Sequence, residues 1–134
     1  DAGTVRSMTL PTRTRVEAAP NFLGNLEVAH YFFVEQDADS ASERFRKLKA
    51  ELREMVTVLS WSPASGHPAR FFTARSAQAR LRAQTVQQLA AQAGLPNLRE
   101  YIVSRHIVLY AHAETEVMLL ALKHQRQLTY LAKG

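Results

Sequence analysis

The sequence predicts an α+β fold, in which an N-terminal strand and a helical hairpin pack on a small, mainly antiparallel sheet and an extra helix precedes the middle strands. Three observations predict it. Strand-forming residues crowd Tyr101–Val103 and Ile107–Tyr110, and an unbroken apolar run, Val117–Leu122, follows the polar turn Ala113–Glu116. Two earlier stretches carry apolar residues at helical three-and-four spacing. Between them and the strands, Trp61–Pro68 holds two prolines and a glycine and reads as a surface loop. Because Val117–Leu122 lacks polar alternation, both its faces are expected to be covered, as in a central strand.

In chain order, residues 1–13 show no sustained period and are set aside as a tail, disordered or left over from expression, with Met8 a candidate natural start. Residues 14–134 then form a single domain. Thr14–Ala19 alternates as a short strand, stopped by Pro20. Asn21 is placed to cap a first helix, whose stripe is Phe22, Leu26, Ala29 and Phe33, with Leu23 at its edge. That helix is expected to fade into Gln36–Asp39. Ser40–Glu43, SASE, fits a capping box for a second helix, with Phe45, Leu48, Leu52, Met55 or Val56, and Leu59 on its apolar side. A short polar link between two such helices favours an antiparallel hairpin. Ala74–Ala93 reads as a third helix, closed by Gly94 at C′ with Pro96 beyond. Its stripe, Leu81, Val86, Leu89 and Ala93, is narrow and drifts, which predicts a peripheral helix on the domain's edge or against another subunit.

With 134 residues, 46% of them hydrophobic and 22% charged, the chain suits one globular domain with a sizeable core. No apolar run approaches the roughly 20 residues a membrane helix needs. No stretch resembles a signal peptide, so the cytoplasm is the default expectation. Zero cysteines remove any disulfide framework or thiolate metal site. The histidines, His30, His67, His106, His112 and His124, lack metal-ligand spacing, and neither metal nor cofactor is expected. Net charge is +5 and is unevenly spread: Asp1–Glu54 carries nine acidic and eight basic residues, Met55–Gly134 three acidic and nine basic. Such a surface attracts a polyanion or an acidic protein, or is simply a solvated basic face.

Four segments, RVEAAPNFLGNLEVAHYF, PASGHPAR, LREYIVSRHIVLYAH and EVMLLALKHQRQ, resemble in order and spacing the RelE/ParE superfamily, the toxins of bacterial type II toxin–antitoxin and plasmid-stabilisation systems. Residues 73–95 depart from the pattern as a helical insertion. The resemblance implies a growth-inhibiting toxin held inactive by a cognate antitoxin. ParE-like members bind DNA gyrase, whereas RelE-like members cut messenger RNA in the ribosome, using basic residues and a small set of Arg, Tyr, His or Glu side chains. Ile107 stands where the RelE-like motif has an arginine, and nearby Arg105 is no free substitute for it. Arg126 and Tyr130 match the C-terminal arginine and tyrosine loosely. A ParE-like binding toxin is therefore the first expectation. The second is an mRNA endoribonuclease using His124, Arg126, Arg105 and Tyr130, and the third is a non-toxic interaction module.

Each candidate residue has a plainer role beside the functional one. Cations beside His124 favour a neutral imidazole able to accept a proton, but the ring can equally close the sheet on a backbone carbonyl. His106, Tyr110 and His112 share one face of an unbroken strand, either a cleft for acid–base work or a half-exposed polar surface. Arg75, Arg80, Arg82 and Arg99 are candidate target or antitoxin contacts. Alternatively, the first three keep an Ala-rich helix soluble and Arg99 pairs with Glu100. Tyr130 stacks on a base or packs under the tail. The antitoxin segment is expected to be an amphipathic helix or strand lying in an apolar groove, with acidic side chains near a basic rim. A homodimer is compatible with all of this.

Overall fold

In the computed structural model, which describes residues 13–69, 77–127 and 130–132 and the side chains of these outside 77–83, the elements run in simple order. They are β1 (Arg15–Ala18), α1 (Pro20–Gln36), α2 (Ala38–Trp61), a 3-10 turn (Pro63–Ser65), β2 (His67–Pro68), α3 (Ala77–Ala93), β3 (Asn97–Val103), β4 (His106–His112) and β5 (Glu116–His124). The strands make one sheet of order β1-β5-β4-β3-β2. β1 runs parallel to β5, and every other neighbouring pair is antiparallel. The α+β class, the helical hairpin and the three-strand meander are those expected from the sequence. The tail through residue 12 lies outside the described residues. No helix among those described is long and apolar enough to cross a membrane.

The hairpin forms with different caps from those expected. Pro20 opens α1, where its missing N–H is no loss. Asn21 is not the cap: its Nδ2 donates to the Leu120 and Leu131 carbonyls, each at 3.0 Å. The SASE box does not form either, because α2 starts earlier. Asp37 closes α1 by donating its N–H to the Phe33 carbonyl (3.0 Å) and opens α2 by accepting from the Asp39 N–H (3.2 Å). Glu43 turns instead to Arg46.

From this hairpin Phe22, Phe33, Leu48, Leu52, Met55 and Leu59 are buried against Val103, Val108, Tyr110, Val117, Leu119 and Leu122 of the sheet. Leu26, Ala29, Phe45 and Val56 pack around that core, while Leu23 stays exposed.

The expectation that the third helix is peripheral is wrong. Val86 and Leu89 of α3 are fully enclosed with Leu109, Ala111, Leu120, Ala121 and Tyr130, so α3 roofs the other face of the sheet. A narrow stripe suffices because Ala111 and Ala121 leave little depth to fill and Tyr130, arriving from the tail, completes the layer. β5 is thereby covered on both faces, as its unbroken apolar run requires. Gly94 ends α3 at φ +68°, its N–H on the Ala90 carbonyl at 3.1 Å.

The loop after α2 is pinned to the sheet at Gly66. Tyr110 donates its hydroxyl to the Pro63 carbonyl at 2.7 Å and accepts from the Gly66 N–H at 2.9 Å. Arg99 donates to the Gly66 carbonyl at 2.8 Å. A Cβ on Gly66 would sit 2.4 Å from the Glu100 carbonyl oxygen. Gly66→Ala is therefore expected to cost about 1–3 kcal/mol of unfolding free energy. The urea midpoint should fall at unchanged slope, and an unmoved midpoint would mean that the loop yields freely.

Candidate functional site

The site begins with an irregularity in β5. Leu109 pairs with Ala121 but Tyr110 pairs with Leu119, so Leu120 is an extra residue, a β-bulge. Before it, Val117 and Leu119 face the helical hairpin; after it, Leu122 does, and Ala121 joins Leu120 on the α3 side. The bulge therefore brings His124 to the hairpin side and sends Lys123 across the sheet, and a regular strand would exchange them. Lys123 Nζ lies 5.5 Å from the centre of the Tyr130 ring and donates to the Gln127 carbonyl.

Two asparagines of α1 hold this segment. β1 ends where the Ala19 N–H meets the Leu119 carbonyl at 2.8 Å. Beyond that point Asn21 donates to the Leu120 carbonyl, and buried Asn25 accepts from the Leu122 N–H at 3.0 Å. Asn25 also donates to the Leu131 carbonyl at 3.2 Å, tying down the tail. Side chains thus continue the ladder that β1 leaves unfinished.

A groove of about 740 Å³ lies between the hairpin and this end of the sheet. Val28, Ala29, Phe32 and Phe33 form one wall, Arg44, Lys47 and Glu51 the other, and His106, Leu122 and His124 the floor, with Arg105 and Arg126 at the rim. The His106 and His124 rings meet edge to face at 5.3 Å, and His106 meets Phe33 in the same manner at 6.0 Å. The Arg44 guanidinium lies 4.4 Å over the Phe33 ring. Glu51 accepts from the Ser104 hydroxyl at 2.9 Å, in a turn where Ser104 adopts φ 55°.

Both imidazoles are biased toward the neutral form. Burial first, then His124 and Arg44, hold His106 down to about 4, against an opposing pull from Glu51. Burial also lowers His124, helped by Arg126, Arg105, Lys123 and Arg44. His124 Nδ1 accepts from the Arg126 backbone N–H at 3.1 Å, so the proton of the neutral ring sits on Nε2. His106 is only 8% exposed, and among the described residues neither of its ring nitrogens has a hydrogen-bond partner.

Of the residues singled out from the sequence, His124, Arg105 and Arg126 meet in this groove. Tyr130 does not. It is buried on the α3 side, where its hydroxyl donates to the Glu100 carboxylate, and burial together with that carboxylate pushes its ionisation up. Arg99 sits at the far end of the sheet, bonded to the Gly66 carbonyl and, through Nε, to His112 Nε2 at 3.2 Å. Tyr110 and His112 do share the His106 face, but they pack at that far end. Arg75 lies outside the described residues, as do the side chains of Arg80 and Arg82 on α3. His30 stacks on Phe45 with ring centres 4.2 Å apart. Sequence reasoning missed Asn25, Arg44, Lys47, Glu51 and His106's isolation. The available signal was that Arg44, Lys47 and Glu51 recur at three-and-four spacing beside the apolar stripe of α2, one charged face rather than scattered solvated residues.

A helical hairpin on one face and a third helix on the other cover a five-stranded mixed sheet, an α+β fold. Among solved structures the chain is similar to one from the chromosomal ParDE TA system of P. aeruginosa, with a TM-score of 0.52 over 85% of this chain and 98% of that chain. At 8% identity the likeness is one of fold. No protein-family model matches the sequence, and no curated protein matches it significantly.

Two outcomes follow from the geometry. Asn25→Leu strands the Leu122 N–H and should cost about 1–3 kcal/mol by urea unfolding, with the His124 ring resonances displaced as the bulge relaxes. His106 is neutral when folded down to about pH 4 and takes up its proton near 6.5 when unfolded. Its contribution to stability is complete above 6.5 and is lost as the pH falls toward 4, by about 3 kcal/mol. In His106→Phe that part of the acid loss should vanish, and identical slopes in both proteins would refute the assignment.

Proposed function

We propose that this chain is the toxin of a type II toxin–antitoxin pair, that it acts by binding an essential target such as DNA gyrase, and that a cognate antitoxin holds it inactive. The observation that carries the reading is the fold likeness to a ParDE chain over 98% of that chain's length. The chemistry of the groove supports binding over cutting. Nδ1 of His124 is engaged by the Arg126 N–H, which leaves the ring a donor at Nε2 and a poor acceptor for a ribose hydroxyl proton. Tyr130 is enclosed in the opposite core, and Ile107 packs toward α3, so neither brings a reacting group to the groove. Arg44, Lys47, Arg105 and Arg126 hold anions without reacting with them.

The outer surface supports a protein partner. Leu23, Val28, Tyr31, Phe32 and Val34 of α1 are exposed apolar side chains, and Val28 and Phe32 line the cationic groove. An amphipathic acidic segment covers both kinds of surface at once.

One observation favours the endoribonuclease reading: His106 is a buried neutral imidazole beside Arg44 and Arg105, and its acceptor nitrogen is unengaged among the described residues. Induced expression with and without a co-expressed antitoxin separates the two. Growth arrest with altered DNA supercoiling, intact mRNA and rescue by the partner is the expected result. Ribosome-phased mRNA cuts would replace the binding reading with the nuclease one, and absence of arrest would leave an interaction module.

A further inference from the structure

We propose that the groove seats a carboxylate of an acidic, partly apolar partner segment against the edge-to-face pair of His106 and His124, and that His106 takes up a proton from solvent as the carboxylate enters. This deepens the antitoxin part of the proposed function by naming the chemistry that the groove selects.

The geometry points to an anion first. Arg44, Lys47, Arg105 and Arg126 line the groove, whereas Glu51 is the one carboxylate among its described lining residues, and one of its oxygens accepts from the Ser104 hydroxyl. His124 presents an Nε2–H because its Nδ1 is engaged. His106 is a polar side chain more than nine-tenths buried, with no described hydrogen-bond partner, on the floor of that groove. A buried imidazole left without partners costs stability that a ligand can restore.

The groups around His106 decide the proton. Lining the groove around it are Arg44, Lys47 and Glu51 from α2, Ser104 and Arg105 from the β3–β4 turn, His124 and Arg126 from β5 and its exit, and Phe33 and Gln36 from α1. Lys123 acts from across the sheet. Burial and this positive excess keep the free ring neutral at pH 7. An entering carboxylate offsets the excess and accepts from the imidazolium, so the complex binds more protons than the free chain. The second ring is the weaker acceptor, because protonating His124 Nδ1 would break its bond to the Arg126 N–H.

A peptide fits better than RNA. Val28, Ala29, Leu48, Leu122 and Leu131 give the groove aliphatic surface, and Arg44 already covers the Phe33 ring. A run of bases needs successive open flat faces on which to stack, and Phe32 is the one exposed aromatic carbocycle among the described lining residues, whereas aliphatic side chains alternating with carboxylates match the rest of the lining.

The test is calorimetric titration of the full chain with a short acetylated peptide of alternating leucine and glutamate, and separately with an oligouridylate of similar length. The association constant for the peptide should rise by up to about tenfold for each unit the pH falls from 8 to 6, as one proton is taken up. Comparing phosphate and Tris buffers counts that proton directly in the unmutated protein. His106→Gln should weaken binding and flatten the pH dependence; if that variant fails to fold, the buffer comparison stands alone. Proton uptake of zero, proton release, tighter binding of the oligouridylate, or no peptide binding at all would each overturn the proposal. Since the readout is binding to purified protein, it can fail while toxicity persists, and it can succeed in a chain that arrests nothing.

Discussion

The extra residue at Leu120 is the constraint on which the candidate site depends. A strand's two faces alternate strictly, so whatever sits past a one-residue insertion changes sides. In β5 this exchange puts an imidazole rather than an ammonium opposite His106. Asn25 makes the exchange affordable by accepting the Leu122 N–H, which would otherwise point at the end of β1 with nothing to meet. Because Asn25 and Asn21 also bond the Leu131 carbonyl, helix, bulge and C-terminal tail are secured by one pair of amides.

Around that point the electrostatics are one-sided. The helix α2 lends Arg44 and Lys47, the β3–β4 turn lends Arg105, and the exit from β5 lends Arg126. Two histidines in such company remain uncharged, so the groove is cationic through its arginines and lysine and carries imidazoles as neutral hydrogen-bonding groups. The opposite face of the sheet follows a different logic. There a buried carboxylate, Glu100, is satisfied by the Tyr130 hydroxyl within an apolar layer, a structural pairing closed off from solvent.

Much of the fold was legible in the sequence because periodicity reports burial directly. The stripes Phe22–Phe33 and Phe45–Leu59 and the apolar run of β5 all pack as their spacing requires. The errors arose where a local pattern competed with a tertiary partner. Asn21 looked like a cap but serves the sheet edge, and Ser40 looked like a cap but Asp37, three residues earlier, had both helix ends to satisfy. The covering role of α3 was hidden because it depends on the smallness of Ala111 and Ala121 in strands far along the chain. The bulge could not be read at all: within Val117–Leu122 every residue is apolar, so no break in alternation marks the insertion, and the face taken by His124 was beyond inference. His106 lay on a recognisable strand face, yet its lack of partners is a property of the surrounding packing.

The shared cap at Asp37 leaves the hairpin without slack. α1 ends at Gln36 and α2 begins at Ala38, so a single residue sets the rotational phase of the second helix relative to the first. Each residue of an α-helix advances about 100° around its axis. Lengthening the hinge by one residue would swing the Arg44–Lys47–Glu51 row roughly a quarter turn off the groove even if both helices stayed intact. In this architecture the charge of the cleft is fixed by the length of a corner as firmly as by the identity of the side chains.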